Sequence, residues 1–415
     1  MRNVSQIING KRKIIKKPEL LAPAGNLEKL KVAIMYGADA VFVGGKEFSL
    51  RSQASNFTLD DIKEAVIFAK QYHAHIHVTC NIILHQDNLE GIKEYLQCLD
   101  DIGVTAIIVA DPYIMKIAKE MNLHLEVHVS TQLSTLNLKA IEFYKEMGMD
   151  RVVLGREVTY EDLKTIMHYA PVDVEYFIHG AMCIHYSGRC MLSNYLSRRD
   201  ANRGGCSQSC RWYYDLYEND MLVNREDDMP FSMSSKDMSL IDHIGELIEL
   251  GVDSFKIEGR MKSLHYIATV VSTYRKLIDA YCDDPDYFQP DESYRDELLK
   301  AANRALCHGF FYDHPTKDEQ LFFLRDEHPT QEFVMRILDY DTQNHLAKIE
   351  QRNYFKVGDK IEIFSPHHPN LFFTVKKLYN EDREIIEVAN HPMEVLYVQI
   401  DEEVLPNDMG RKVIR

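Results

Sequence analysis

Short apolar runs alternate with amphipathic stretches through the first two thirds of the chain. Near-continuous hydrophobic runs are typical of strands buried on both faces, and helical periodicity separates nearly all of them here. The predicted strands are Glu19–Ala22, Ala40–Val43, His75–Cys80, Ala106–Ala110, Leu125–Val129, Arg151–Leu154, Val174–Ile178 and Ser254–Ile257. Eight such strands over residues 18–285 predict an α/β fold, a TIM-like (β/α)8 barrel. An open doubly wound sheet is the alternative, although no G-x-G-x-x-G follows the first strand.

One connection breaks this alternation. Some 60 residues separate the seventh predicted strand from the helix predicted at Leu240–Leu250. Loops of that length are uncommon unless they are functional. This one also follows the carboxyl end of a barrel strand, the end at which such barrels place their active sites. We therefore predict that residues 183–230 form an insertion after strand 7 that carries the site.

The hydrophobic period changes again beyond residue 330. Short alternating strands separated by Gly, Pro, Asn and Asp predict a small all-β, barrel-like C-terminal domain over residues 331–415. Residues 286–330 are predicted to be an acidic, partly helical connector. Residues 1–17 carry six basic side chains and no acidic one, which predicts a basic N-terminal tail.

Charge is distributed unevenly over the 415 residues. The net charge of −16 argues at first against a nucleic-acid partner. Residues 183–212, however, hold five basic residues and one acid, Asp200. The five are Arg189, Arg198, Arg199, Arg203 and Arg211. These arginines and the basic tail are the candidate contacts to RNA phosphates.

No run approaches 18 consecutive apolar residues, so no membrane partner is expected. The N-terminal residues lack the apolar stretch of a signal peptide, which predicts a cytoplasmic location. Thiols stay reduced there, so a disulfide framework is not expected for the eight cysteines.

Four of these cysteines fall within 28 residues of the predicted insertion, as Cys183-x6-Cys190-x15-Cys206-x3-Cys210. Clustered thiolates in a reduced compartment indicate soft-metal binding. The last pair alone has a spacing common in zinc sites, and the usual ferredoxin run is absent. The spacing leaves an iron–sulfur cluster, zinc, and redox or structural thiols open. The remaining cysteines are predicted to be small buried apolar residues: Cys80, Cys98, Cys282 and Cys307.

A longer motif contains the first cysteine pair. Residues 175–193, EYFIHGAMCIHYSGRCMLS, resemble the E-x-F-x2-G-A-x-C-x4-G-x-C-x-x-S signature of the collagenase-like peptidase family U32. Further segments are similar to conserved blocks of that family: ELLAPAG at 19–25, STQ at 130–132, NRGGC at 202–206 and FKIEGRMK at 255–262. The resemblance covers nearly all of residues 18–415. It is strongest to the family's bacterial members that form 5-hydroxyuridine in tRNA.

This resemblance implies an enzyme, a tRNA uridine hydroxylase of the oxidoreductase type. It implies a [4Fe–4S] cluster on the four insertion cysteines, with zinc as the alternative, and hydroxylation of the wobble uridine at carbon 5. Prephenate is implied as a co-substrate. The implied partner is tRNA, and a paralogous subunit of the same family is the other partner to be considered. The sequence leaves the catalytic residues unknown.

The family's name raises a second function, a collagenase-like peptidase with a structural zinc or iron–sulfur site. The chain has no H-E-x-x-H and no G-x-S-x-G. A thiol beside His179 or His185 could act as a nucleophile. A nucleophilic mechanism needs only one thiol, however, and four are clustered here.

Polar residues that follow the predicted strands are candidates for binding an anionic small molecule, because carboxylates match the guanidinium fork. The substrate-binding candidates are Arg156, Lys256, Glu258, Arg260, His179 and Gln132. An ion-pair network closing the barrel mouth is the alternative role for the charged ones. His75 and His77 lie on one face of a predicted strand, where core or rim positions are more common than ligand contacts.

Overall fold

Eight parallel strands close into a barrel in the computed structural model, which describes residues 4–8, 10–49, 56–223, 230–289, 291–302, 304–322 and 330–414. The strands are β1 (Glu19–Pro23), β2 (Ala40–Gly44), β3 (His75–Cys80), β4 (Ala106–Val109), β5 (Glu126–Val129), β6 (Arg151–Val153), β7 (Asp173–Ala181) and β8 (Ser254–Ile257). Strand β8 pairs with both β1 and β7, so the sheet has no open edge at the seam. The predicted TIM-like barrel is confirmed, and the open sheet is excluded.

Helices pack around this barrel. They are α1 (Leu27–Met35), α2 (Leu59–Gln71), α3 (Ile92–Ile102), α4 (Pro112–Glu120), α5 (Leu138–Glu146), α6 (Tyr160–Tyr169), α7 (Leu192–Ser197), α8 (Ile244–Leu250), α9 (Leu264–Asp283) and α10 (Glu292–Leu299). Side-chain caps set several of the starts. The Thr58 hydroxyl accepts from the Asp61 amide while the Asp61 carboxylate accepts from the Thr58 amide, which satisfies two groups that the first turn leaves unpaired. No helix among the described residues is long and apolar enough to cross a bilayer.

The N-terminal residues form a hairpin rather than a loose basic tail. Ser5–Ile8 pairs antiparallel with Lys11–Ile14. Arg12 donates to Glu249 and to Asp286, both at 2.7 Å. These contacts neutralise basic charge at the end of the barrel opposite the insertion. Residues 1–3 and 9 of the predicted tail lie outside the described residues.

The predicted connector is partly built into the barrel. Leu306–Cys307 pairs parallel with Asp237–Ser239, which itself pairs antiparallel with the extended end of β7. Ser234–Ser235 pairs with Gln320–Leu321. Residues 286–330 therefore support the insertion as well as linking two domains. Residues 224–229 of the insertion and 290, 303 and 323–329 of the connector lie outside the described residues.

The C-terminal domain is an eight-stranded antiparallel sheet that curves into a half-barrel, as the change of period predicts. Its strands are Gln331–Asp341, Leu346–Gln351, Lys360–Phe364, Leu371–Thr374, Leu378–Tyr379, Ile385–Ile386, Val395–Gln399 and Met409–Val413. Arg411, on the last strand, is fully buried and donates to Glu362 and to Glu297 of α10. This ion-pair network joins the half-barrel to the barrel.

Candidate active site

A cavity of about 590 Å³ lies at the carboxyl ends of the barrel strands, with the insertion on one side of it. The barrel contributes residues at or just after the ends of five strands: Phe42, Thr79, Ser130, Phe177 and Lys256. The insertion contributes, among others, Cys183, Cys190, Cys206 and Cys210. The cavity thus brings together four cysteines that are spread over 28 residues of sequence.

The four thiols share one electrostatic environment. Burial raises the pKa of Cys183, and the nearby Cys190 and Cys206 raise it further, whereas Arg156 lowers it. Burial likewise raises the pKa of Cys210, and the other three cysteines add to that increase. A negative charge on one thiol makes ionisation of its neighbours less favourable. Since the thiolate is the nucleophilic form, such a group is poorly suited to supply a free nucleophile. A positively charged metal centre would reverse this effect and hold all four as thiolates.

The sulfur spacing distinguishes the two metal centres left open by the sequence. Tetrahedral zinc with Zn–S distances near 2.3 Å would place its sulfurs about 3.8 Å apart. Within the described residues, no three of the four insertion cysteines have sulfurs mutually within 4.8 Å. A multi-iron cluster is larger than a single ion and holds its cysteines farther apart. To hold a single zinc ion, the insertion cysteines would have to move closer together than they are here.

Contacts outside the cysteines fix the insertion over the cavity. Glu157, just after β6, accepts from the Ser187 amide at 2.6 Å and from its hydroxyl at 2.8 Å. Asn202 and Cys190 exchange two hydrogen bonds, at 3.2 and 3.0 Å. Arg203 donates to Asp87 at 3.1 Å and to Asn88 at 2.7 Å, in the loop after β3. The first and second cysteine pairs are thus held in place by separate anchors.

Two of the predicted substrate-binding residues form a stacked ion pair in the cavity. The Arg156 guanidinium lies 3.9 Å from the centre of the Phe177 ring. It is also 3.7 Å from the Glu258 carboxylate. Stacking on an aromatic face fixes the plane of a guanidinium and leaves its edge open to a carboxylate ligand.

Arg260 and Lys256 are more deeply buried in the cavity wall than Arg156. Arg260 donates to Ser49 at 3.2 Å and to Asn56 at 2.9 Å. A side chain at Gly44 would place its Cβ 2.3 Å from the Arg260 Nη1, so any larger residue there would force the end of the Arg260 side chain to shift. The Lys256 ammonium points to buried Glu175 at 2.5 Å, beneath the cavity.

Gln132 and His179 have different environments. The Gln132 amide oxygen accepts from Asn81 at 2.8 Å and from the Ser130 hydroxyl at 3.1 Å, so this side chain is part of the cavity wall. His179 lies behind the wall, where its ring bonds the Tyr274 hydroxyl at 3.2 Å. Burial lowers the pKa of His179 to about 4, which leaves the ring neutral at pH 7. His179 does not line the cavity among the described residues.

The five insertion arginines also separate into groups. Arg199 and Arg211 line the cavity, and Arg203 is the anchor to Asp87. Arg189 donates to the Gln132 carbonyl at 2.6 Å, although much of its side chain is exposed. Arg198 is exposed on the outer surface. The outer surface therefore presents two of the five predicted phosphate contacts, and the others have roles within the site.

Sequence reasoning missed two basic residues of the cavity, Lys262 and Arg304. Both contact the buried carboxylate of Asp237, at 3.2 and 3.1 Å. Lys262 ends the FKIEGRMK segment, and that position is the signal that could have indicated it. Arg304 lies in the predicted acidic connector. It reaches the cavity because the connector pairs with a strand at the edge of the barrel, which the sequence does not predict. Two of the four cysteines predicted to be buried also differ from expectation: Cys98 is exposed on α3, and Cys307 is half-buried.

The comparisons with known proteins agree with this architecture. Residues 25–321 match the peptidase family U32, and residues 329–411 match the peptidase family U32 C-terminal domain. The chain belongs to peptidase family U32. This family membership confirms the resemblance carried by the cysteine motif.

Relatives within family U32 bear different names. The chain is 50% identical over 413 residues to tRNA hydroxylation protein P1 of Bacillus subtilis, covering 99% of this chain and 98% of the relative. It is 39% identical over 292 residues to the 23S rRNA 5-hydroxycytidine C2501 synthase of Escherichia coli, covering 70% of this chain and 42% of that one. It is 28% identical to a collagenase of Porphyromonas gingivalis, covering 94% of this chain and 96% of the relative.

The family's peptidase name finds little support in the site of this U32 member. Among the described residues, the hydrogen-bond partner of the His179 ring is Tyr274 rather than a thiol. The pKa of Cys183 and of Cys210 is raised by burial, the opposite of what activates a cysteine nucleophile.

Proposed function

We propose that the protein hydroxylates tRNA, replacing the hydrogen on carbon 5 of the wobble uridine by a hydroxyl group, with a separate oxygen donor supplying the oxygen atom and accepting two electrons. One observation carries the proposal: among the described residues, four cysteines and seven basic side chains open on the same cavity, and Glu258 is the one carboxylate in its lining. The basic residues are Arg156, Arg199, Arg211, Lys256, Arg260, Lys262 and Arg304. The names of the RNA-hydroxylating relatives support the same substrate class.

We assign the four cysteines to a [4Fe–4S] cluster. When bound, such a cluster supplies redox chemistry at a potential set by its surroundings. The chain's own contribution is to hold the thiols at the cavity wall and to place Arg156 and Arg211 near them. These cations offset the negative charge of four thiolates.

We further propose that the basic part of the cavity binds a small dicarboxylate, with prephenate as the co-substrate. Arg156 would receive one carboxylate on its open edge, because Phe177 covers its face. Among the described residues, Glu175, Asp237 and Glu258 pair with four of the seven cations, so the cavity keeps a net positive charge that attracts an anion. The cavity volume exceeds that needed for one ring with two carboxylates. The Gln132 and Asn81 amides offer neutral polar contacts.

The outer surface of the insertion is the proposed RNA contact. Several aromatic side chains are exposed there beside Arg189 and Arg198: Tyr186, Tyr195, Trp212 and Tyr217. Proteins that read single-stranded RNA stack splayed bases on such rings and pair the backbone with arginine. An anticodon loop has the unpaired bases that this surface would accept.

Nucleoside mass spectrometry tests the proposed activity. In a deletion strain, 5-hydroxyuridine derivatives should disappear from tRNA, and the wild-type gene should restore them. Cys183→Ala should fail to restore them, whereas Cys98→Ala, at the exposed cysteine on α3, should succeed. Unchanged nucleosides in the deletion strain would exclude this activity.

Metal analysis of anaerobically purified protein tests the cluster separately. About four iron and four sulfide per chain are expected, and both should fall in Cys183→Ala. Stoichiometric zinc without sulfide would contradict the cluster, whatever the nucleoside result.

A further inference from the structure

A polar layer lies inside the barrel beneath the cavity. It contains His77 of β3, His128 of β5 and Glu175 of β7, each no more than 1% exposed. The residues two positions further along the same strands line the cavity, and these are Thr79, Ser130 and Phe177. Because side chains alternate along a strand, the three buried residues point into the barrel one layer below the cavity.

These three side chains converge. One ring nitrogen from each histidine and one carboxylate oxygen of Glu175 lie within 4.8 Å of one another. Each residue also has a buried polar atom with no hydrogen-bond partner among the described residues: Nδ1 of His77, Nδ1 of His128 and Oε2 of Glu175. A buried polar atom without a partner destabilises the fold, so three at one place call for a missing ligand.

The opposite nitrogen of His128 shows which of its ring atoms carries the proton. Nε2 of His128 is 2.8 Å from the Glu126 carboxylate. A carboxylate at Nε2 favours the proton there and leaves a lone pair on Nδ1. Nε2 of His77 is 4.0 Å from the Glu19 carboxylate, an ion-pair distance rather than a hydrogen bond. Nδ1 of His128 and Oε2 of Glu175 are therefore acceptors, and Nδ1 of His77 has no hydrogen-bond partner among the described residues.

We propose that His77, His128 and Glu175 bind one divalent transition-metal ion, separate from the four-cysteine site. Two imidazoles and one carboxylate form a donor set typical of Zn²⁺ and Fe²⁺. The carboxylates behind the rings are the outer contacts that orient histidine ligands in such sites. The ion would tie β3, β5 and β7 together below the cavity, a structural role.

Two cations also contact Glu175, and neither forms a hydrogen bond to Oε2. Lys256 bonds the other carboxylate oxygen, Oε1, at 2.5 Å. The Arg151 guanidinium forms an ion pair with Oε2 at 3.5 Å, and its hydrogen bond, at 2.6 Å, goes to Glu19. Oε2 therefore keeps a lone pair for the metal.

Cobalt titration tests this site. The background is the full chain with the four insertion cysteines changed to alanine, which removes the thiolate ligands. We expect one Co²⁺ per chain, seen as weak visible d–d absorption, and a higher melting temperature with the metal. Adding His77→Gln and His128→Gln should abolish both changes. His265→Gln, at a buried histidine whose Nε2 is also unpartnered, should preserve them.

If the four-alanine background does not fold, wild-type protein freed of cluster is titrated instead. Thiolate-bound Co²⁺ gives intense near-ultraviolet charge-transfer bands, and the histidine–carboxylate site gives none. Failure of a folded background to take up Co²⁺ would overturn the proposal. Uptake that survives His77→Gln and His128→Gln would overturn it as well. In the wild-type protein, Co²⁺ bound only through thiolates would also overturn the proposal.

Discussion

Arg156 offers the sharpest test of the proposed binding of an anion in the cavity. Its side chain is only 12% exposed, and its guanidinium lies flat against Phe177 at 3.9 Å. Arg156→Lys keeps the charge but loses both the stacked plane and the two-pronged edge. A cation–π contact shielded from water is worth about 1–2 kcal/mol, and a charge-assisted hydrogen bond about 1.5–3 kcal/mol.

The lysine variant should therefore lose about 1.5 kcal/mol of prephenate binding, a tenfold rise in Kd. Arg156→Ala should lose about 3 kcal/mol, a rise of about 100-fold. Isothermal titration calorimetry on anaerobically purified protein measures both. Arg383→Lys is the matched control, because Arg383 stacks on Tyr397 at 3.5 Å in the C-terminal domain, away from the cavity. Wild-type affinity in Arg156→Ala would refute this assignment of the cavity.

Three further variants test other parts of the structure. Burial raises the pKa of Glu362, but Arg411 and other donors outweigh it and lower the value to about 2 from 4.5. This carboxylate should stabilise the fold by about 3 kcal/mol above pH 4.5, and that contribution should fade as the pH falls towards 2. In chemical unfolding, Glu362→Gln should have a lower free energy of unfolding than wild type at pH 7, and the two values should converge as the pH falls. A difference in unfolding free energy that stays constant with pH would contradict this. Glu157→Gln weakens the two bonds to Ser187, so limited proteolysis should cut the insertion faster than in Glu161→Gln, an exposed control on α6. Gly44→Ala should displace the Arg260 side chain, lower the free energy of unfolding by about 1–3 kcal/mol and reduce tRNA hydroxylation. A wild-type melting temperature and wild-type activity would show that the space beside Gly44 accommodates a methyl group.

The barrel could be predicted from sequence because its strands are buried on both faces, which leaves near-continuous apolar runs. The convergence of the four cysteines could be expected from the motif. The N-terminal hairpin could not, because its strands carry no apolar alternation and depend on partners such as Glu249, more than 200 residues away. Arg304 was missed for the same reason, since a long-range strand pairing brings it to the cavity.

The buried histidines show a different limit. His77 shares β3 with His75 and Thr79, and His128 shares β5 with Glu126. At such positions a satisfied core residue is the ordinary expectation. Their meeting depends on the stagger of strands around the closed barrel, which no single segment encodes. Glu175 opens the cysteine motif, but its spacing to Cys183 gives no hint that its carboxylate lies beneath the cavity.

The anchors at Glu157 and Arg203 bear on how the protein withstands damage. Both hold the insertion through side chains that no metal touches. In a zinc finger the metal is needed for folding, so losing it unfolds the domain. Here we expect the cysteine-bearing loop to stay closed over the barrel after oxygen destroys a cluster. A new cluster could then form from supplied iron and sulfide on the folded chain, and the same polypeptide would regain its activity without unfolding and refolding.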